Sequence, residues 1–307
     1  MESASVVDAG RQSLGPVGAY LPVPFTSAPP VNLQREAARR LEGAGYGAAW
    51  TNDPVGGKDP LVQVALLLAA TERMTFGTGI ANIWSRAPQT THAAAALLSQ
   101  AYPGRLVLGL GAGYPQQAAA VGREFGRPLA MMRDYLERMT APTMTPAPEA
   151  PYPRIIAANG PKMLALAAEM TDGALPAGLP PAYTARAREA LGPGKLLVVA
   201  MSVITDTADR EAAHAKAREA VAASLSRALR PATLTGLGYT DKQIAEVNDD
   251  LVNALVAHGD PESIATLATA HREAGADHVM LLPSGTTDLM TGIEQLEHLA
   301  PTMLQVR

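Results

Sequence analysis

Apolar and polar positions follow two alternating registers along this chain. Short, nearly continuous apolar runs of strand length are PVGAYLPV, GAAWTND, TFGTGIANI, RLVLGLG, RIIAAN, GALPAG, LLVVAMSVIT and HVMLLP. Each is followed by a longer stretch whose apolar residues recur every three or four positions. The first register predicts strands buried on both faces, and the second predicts amphipathic helices packed against them. The punctuation agrees: Asp59-Pro60 and Asp260-Pro261-Glu262 open helices as an N-cap followed by a first-turn proline. The glycines of EGAGYG and of Ala274-Gly275-Ala276 close them. Helices are predicted from Asn32 to about Leu41, Leu61 to Ala70, about Thr90 to Ala101, Met131 to Met139, Asn159-Gly160-Pro161 to about Met170, Tyr183 to Leu191, Arg210 to Leu229 and Asp241 to about His258. APTMTPAPEAPYP, with five prolines, reads as an irregular connection, because the strand–helix rhythm resumes at once. Strands alternating with helices in this way predict a (β/α)8 TIM barrel over residues 16–307, with residues 1–15 as a loosely held N-terminal extension.

Composition narrows the function more than the fold. At 307 residues and 47% hydrophobic content the chain can fill one such barrel. Aromatics are only 4%, so the core is expected to be aliphatic, and Trp50, Trp84 and Tyr114 at strand ends become candidate ligand contacts. A net charge of −4 without a basic run argues against nucleic acid and anionic membranes as partners. The absence of cysteine excludes thiolate catalysis, Cys-ligated zinc and disulfides. VQVALLLAA is far too short to span a membrane, and MESASVVDAGRQSLG lacks the basic start and apolar run of a secretory signal, so the cytoplasm is the expected compartment. The six histidines show no HExxH pairing, and there is no GxSxG elbow. Glu36, Glu42 and Asp249-Asp250 read as solvated helix charges.

The block from Met74 to Tyr114 holds two apolar strands that each turn glycine-rich at the carboxyl end, where the backbone can approach a ligand. A barrel of this type binds ligands at that end of its strands. The residues brought together are therefore Trp50 to Asp53, Gly79 to Trp84, Gly111 to Tyr114 and Asn159 to Lys162. GLGAGY lacks the third glycine of the dinucleotide fingerprint. In AANGPKM, Asn159 can cap a helix, Gly160 admits close approach, and the first-turn N–H groups with Lys162 can make an anion site; the same residues equally suit an ordinary capped helix start. His92, at the start of its helix, fits a solvated or capping role as well as a ligand contact.

With those segments in view, the chain resembles the luciferase-like superfamily of flavin and deazaflavin oxidoreductases, and within it the actinobacterial-type branch dependent on coenzyme F420. The runs LEGAGYGAAW, LLLAATERMTFGTGIANIW, GRLVLGLGAGY and LGYTDKQIAEVNDDLVNALVAHGDPESI with AGADHV carry the resemblance, which extends from PVGAYLPV to HVMLLP. It implies a luciferase-like barrel with shortened insertion regions, a homodimer, and an isoalloxazine-type ring in the mouth. A non-prolyl cis peptide at the end of the third strand is also implied, and it falls here on Gly79–Ile80. The implied cofactor contacts are Asn52, Gly79, Ile80, Asn82 and Gly113, with the cofactor phosphate at Asn159, Gly160, Pro161 and Lys162. Tyr20, Trp50 and Trp84 become expected walls of a small-molecule substrate pocket. Where many relatives carry a serine, aspartate, histidine run, this chain reads Asn52-Asp53-Pro54, so the histidine has no counterpart. Asp53 and Tyr114, the latter where some relatives place a glutamate donor, are the expected catalytic residues. The expected function is F420-dependent hydride transfer with a small organic substrate. The alternatives are an FMN-dependent monooxygenase on the same barrel and a cofactor-binding protein with lost or altered catalysis.

Overall fold

The computed structural model describes residues 5–21, 28–205, 209–227, 231–284 and 288–307. Its strands are β1 Val17–Tyr20, β2 Ala48–Thr51, β3 Thr75–Thr78, β4 Ala81–Asn82, β5 Leu106–Gly111, β6 Arg154–Ala157, β7 Gly173–Leu175, β8 Leu196–Ile204, β9 Val256–His258 and β10 His278–Pro283. The helices are α1 Val6–Leu14, α2 Val31–Gly43, α3 Pro60–Leu68, α4 Pro88–Ala101, α5 Pro115–Ala120, α6 Pro128–Met139, α7 Pro161–Met170, α8 Pro181–Leu191, α9 Arg210–Arg227, α10 Pro231–Thr235, α11 Asp241–Glu246, α12 Asp249–Leu255, α13 Pro261–Glu273 and α14 Leu289–Met303. Proline opens α3 to α8, α10 and α13, where its missing N–H has no intrahelical partner to lose.

Eight parallel strands close into the expected TIM barrel in the order β1-β2-β3-β5-β6-β7-β8-β10. Closure is made by β10, which pairs with β1 at Val17↔Val279 and with β8 at Val199↔Val279. The two short strands lie off this ring: β4 pairs with β5 at Ala81↔Leu110, and β9 pairs with the end of β8 at Ser202↔Val256. Period-two alternation sorts the side chains into two cores. Ala48, Trp50, Val107, Ile155, Val198 and Met280 fill the barrel, whereas Ala49, Leu106, Leu108 and Leu110 face the helix layer. Gly77 leaves the space that the Trp50 ring occupies, since a Cβ there would stand 2.2 Å from it. At Gly109 a Cβ would stand 2.0 Å from the Thr78 carbonyl oxygen.

Three expectations change. Residues 6–14 are not loosely held, because α1 plugs the amino-terminal end of the barrel. Ser5 Oγ accepts the Asp8 N–H at 3.1 Å, and Val7, Gly10 and Leu14 are buried. Arg11 Nε donates to Asp277 Oδ1 at 3.0 Å, and Thr75 Oγ1 donates to the Ser13 carbonyl at 3.2 Å. The single helix expected from Asp241 to His258 is instead α11, α12 and β9: Val247 turns the chain at φ 46°, and Asn248 caps α12 by accepting the Leu251 N–H at 3.1 Å. Glu42 is not merely solvated, for its carboxylate accepts the backbone N–H groups of Glu72, Arg73 and Met74, fixing the turn into β3.

Two buried histidines set an acid limit. His278 lies inside the barrel, accepting the Trp50 indole N–H at 2.9 Å through Nε2 while Nδ1 donates to the Gly15 carbonyl at 2.8 Å. His271 is 1% exposed and bonds the Thr184 hydroxyl at 2.8 Å. Burial pushes both pKa values down to about 4 from 6.5. Between those values the unfolded chain takes up protons that the folded chain refuses, so stability falls as pH falls from about 6.5 towards 4. Each histidine contributes up to roughly 3 kcal/mol of that loss. Urea midpoints measured from pH 7.5 to 4.5 should drop across this window, and His278→Gln should flatten the slope.

Candidate active site

At the carboxyl end of β2, alternation carries Asn52 inward and Asp53 outward. Asn52 is 6% exposed, and its Oδ1 has no hydrogen-bond partner. Asp53, expected to be catalytic, stands behind the strand end instead, in a small cavity with Leu61, Ala81, Leu110 and Tyr135. Its Oδ2 accepts the Asn82 N–H at 2.9 Å, while Oδ1 and the nearby Ser85 hydroxyl are buried without hydrogen bonds. Burial raises the Asp53 pKa above the usual carboxylate range. It is a positioning residue, holding the segment that follows β3.

Lys58, which sequence reasoning passed over, folds back on the same strand end. Its Nζ donates to Thr51 Oγ1 at 2.7 Å and Gln63 Oε1 at 2.5 Å, and Gln63 Nε2 reaches Gln34 Oε1 on α2 at 2.5 Å. Burial pushes the Lys58 pKa down to about 7, opposed by the Asp53 charge. A lysine beside a helix N-cap reads as solvated in sequence, so nothing there signalled this network.

The segment after β3 is the centre of the site. The Gly79–Ile80 peptide is cis, and the Gly79 N–H donates to the Thr51 carbonyl at 2.7 Å. Asn82 then ties three elements together. Its Nδ2 donates to Gln117 Oε1 at 3.1 Å, its Oδ1 accepts the Trp84 N–H at 3.1 Å, and Gln117 Oε1 also accepts the Tyr114 N–H at 3.0 Å. Gly113 is required here, since at φ +60° a Cβ would stand 2.2 Å from Gln117 Oε1. Tyr114 lies at the rim, 50% exposed. Trp84 is half-buried, donates its indole N–H to the Ala112 carbonyl at 2.8 Å, and packs near Phe125 with ring centroids 5.9 Å apart. Tyr20 is half-buried at the top of the inner core, with its pKa raised by burial. Trp50 is not a pocket wall: it is 0% exposed inside the barrel, beneath Gly79.

At the start of α7 the capping residue is Gly160, without a side-chain bond. Asn159, expected to cap, instead holds the backbone of Ala177, accepting its N–H at 3.0 Å and donating to its carbonyl at 3.1 Å. No atom lies within 4 Å of a Cβ built on Gly160, and Pro161 and Lys162 are exposed. His92 is half-buried and bonds the Tyr152 hydroxyl at 2.6 Å.

The model of the luciferase-like monooxygenase family matches residues 15–278. The chain belongs to that family. A Mycobacterium tuberculosis protein named as a coenzyme F420-dependent oxidoreductase is 28% identical to this luciferase-like chain over 236 residues, covering 62% of this chain and 67% of the relative. An F420-dependent secondary alcohol dehydrogenase solved with an F420–acetone adduct shares the fold at a TM-score of 0.71 and 17% identity, covering 94% of this chain and 98% of that one. The oxygenating constituent of the Pseudomonas putida 3,6-diketocamphane monooxygenase, a type II Baeyer–Villiger enzyme solved with FMN, shares it at 0.67 and 16%, covering 95% and 99%. The luciferase-like chain is thus an enzyme of an oxidoreductase family. Among the described residues no cluster suits a metal ion, and no helix is long and apolar enough to cross a membrane. The cis segment, Asn52, Asn82 and Gly113 stand at the ends of β2, β3 and β5, and Gly113 lies against Asn82. Gln117, Ser85 and Phe125 were missed, because each stands in a segment without a recognisable motif.

Proposed function

We propose that this chain is a coenzyme F420-dependent oxidoreductase that moves a hydride between the deazaflavin and a small organic substrate at the barrel mouth. The carrying observation is Asn52 Oδ1, a buried acceptor without a partner beside the Gly79–Ile80 segment. A buried acceptor is stable only when a donor meets it, and a planar ring bearing an N–H supplies one. Several other features of the site fit the same group. The Gly79–Ile80 segment would support the ring from below, with Asn82 and Gly113 fixing that support. The open space at Gly160 and the exposed Lys162 would receive the phosphate, helped by the positive end of α7. When bound, the cofactor supplies the hydride chemistry, and the protein positions it. Tyr114 would hold or release a proton at the rim through its hydroxyl.

FMN presents a similar ring and phosphate, and the shared fold of the FMN monooxygenase makes it the second reading. Fluorescence titration of the purified protein decides between them: F420 should bind, and FMN should bind more weakly. Asn52→Ala and Lys162→Ala should each weaken F420 by about tenfold, close to 1.4 kcal/mol. Tight FMN binding without F420 binding, together with oxygen uptake on reduced FMN, would establish the monooxygenase. Binding without turnover on any substrate would favour a cofactor-binding protein, and unchanged turnover in Tyr114→Phe would remove Tyr114 as donor.

A further inference from the structure

We propose that Gln117 is a positioning residue whose side-chain oxygen couples the floor proposed for the cofactor ring to the rim that carries Tyr114. The coupling rests on geometry alone, and its effect on binding rests on the F420 reading. Gln117 Oε1 accepts two N–H groups at once, Asn82 Nδ2 at 3.1 Å and the Tyr114 backbone at 3.0 Å. The first belongs to β4, in the segment that follows β3, and the second to the N-cap of α5. One oxygen therefore joins the two elements.

Backbone donors fix the direction of both amides. The Tyr114 N–H meets only an acceptor, so Gln117 presents its oxygen there, and Asn82 turns its NH2 group towards that oxygen. Asn82 Oδ1 is then left to accept the Trp84 N–H, a second backbone donor, at 3.1 Å. The Asn82 backbone N–H is held in turn by Asp53 Oδ2 at 2.9 Å, and Asn82 pairs with Gly111 on β5. Asn82 is thus pinned on every side. The helix on the far side of the bridge is not: α5 has six residues, of which Ala118 alone is buried, and a helix of that length does not hold itself together in water. Its place at the mouth depends on the bond at its first turn. Gly113 keeps the bridge closed, since a side chain there would strike both Gln117 Oε1 and Asn82 Nδ2.

The bridge asks of Gln117 only that it accept. A carboxylate would accept the same two N–H groups, whereas an apolar side chain would accept neither. Losing the acceptor would leave Asn82 Nδ2 unpaired and release the Tyr114 hydroxyl from a fixed distance to the floor. Neither partner of Gln117 lies in the ring of eight strands, so the barrel itself would remain intact.

Hydrogen exchange of the free protein, followed by mass spectrometry, tests the coupling without a cofactor. Gln117→Leu should speed exchange about tenfold or more in residues 80–84 and 113–120 together, while lowering the melting temperature by less than about 3 °C. Gln117→Glu should leave both segments at wild-type rates. In a fluorescence titration Gln117→Leu should weaken F420 about threefold or more, and Gln117→Glu should not. Faster exchange confined to 113–120, unchanged exchange in both segments, or equal damage from Gln117→Glu would each overturn the proposal. A large fall in melting temperature in Gln117→Leu would overturn it too, by making Gln117 a general support of the fold. Exchange that responds as expected in a chain that binds no F420 upholds the coupling and refutes the cofactor reading. Equal F420 affinity in all three forms refutes this inference alone.

Discussion

Gly109→Ala should lower stability by about 3 kcal/mol or more and its melting temperature by roughly 6 °C or more. The added methyl would stand 2.0 Å from the Thr78 carbonyl oxygen. No side chain can swing aside to relieve this, since the obstacle is the backbone of the adjacent strand. Gly109 and Thr78 are further locked together, the Gly109 N–H donating to Thr78 Oγ1 at 2.9 Å and Thr78 Oγ1 donating to the Gly109 carbonyl at 2.7 Å. The strands can separate only by moving the segment that begins at Gly79, so cofactor binding should fall with stability. Gly43→Ala is the control. It lies at the end of α2 with no atom within 4 Å of the added Cβ, and should be neutral or slightly stabilising. Thermal unfolding of both variants checks the contrast, and a near-native Gly109→Ala would show that β3 and β5 are far less constrained than their geometry indicates.

The second large effect separates two substitutions at Asp53. Asp53→Ala leaves the Asn82 N–H buried without its acceptor, a loss of about 2 kcal/mol. Because Asn82 also holds Gln117 and Trp84, F420 affinity should fall by about tenfold or more. Asp53→Asn keeps an oxygen for the same N–H. Its stability should equal or exceed that of the wild type at neutral pH, for a definite electrostatic reason. The Asp53 pKa is raised by burial, so its favourable contribution is complete below the ordinary carboxylate range and is lost as pH rises through the folded value. Asparagine has no ionisation for burial to oppose, so it lacks this pH-dependent loss. Denaturant unfolding at two pH values, with F420 titrations, tests both substitutions; equal damage from both would show that the carboxylate charge itself is required.

How much of this was legible in the sequence depended on distance along the chain. Each barrel strand was visible as an apolar run, and helix starts were visible in Asp59-Pro60 and Asp260-Pro261, because these signals are local. The gathering of the strand ends that carry Asn52, Asn82 and Gly113 followed once the order of strands was known, whereas the cis peptide position came only from the family resemblance. What escaped was orientation and long-range pairing. Asp53 looked catalytic because it adjoins the mouth in sequence, yet one step of strand alternation turns it to the other side of the wall. Trp50 failed as a pocket wall for the complementary reason: it points inward, but a full layer too deep, where Gly77 makes room for its ring. Lys58 and Glu42 bond to partners that no spacing rule connects with them.

The docking of α1 bears on how this protein should be handled at the bench. Residues before the first strand look expendable, and a shortened recombinant version beginning at Pro16 would be a natural choice. That cut would remove Gly15, whose carbonyl holds His278, which in turn holds the Trp50 indole directly beneath Gly79. Trimming the amino terminus would thus loosen the floor of the proposed cofactor site from the far end of the barrel.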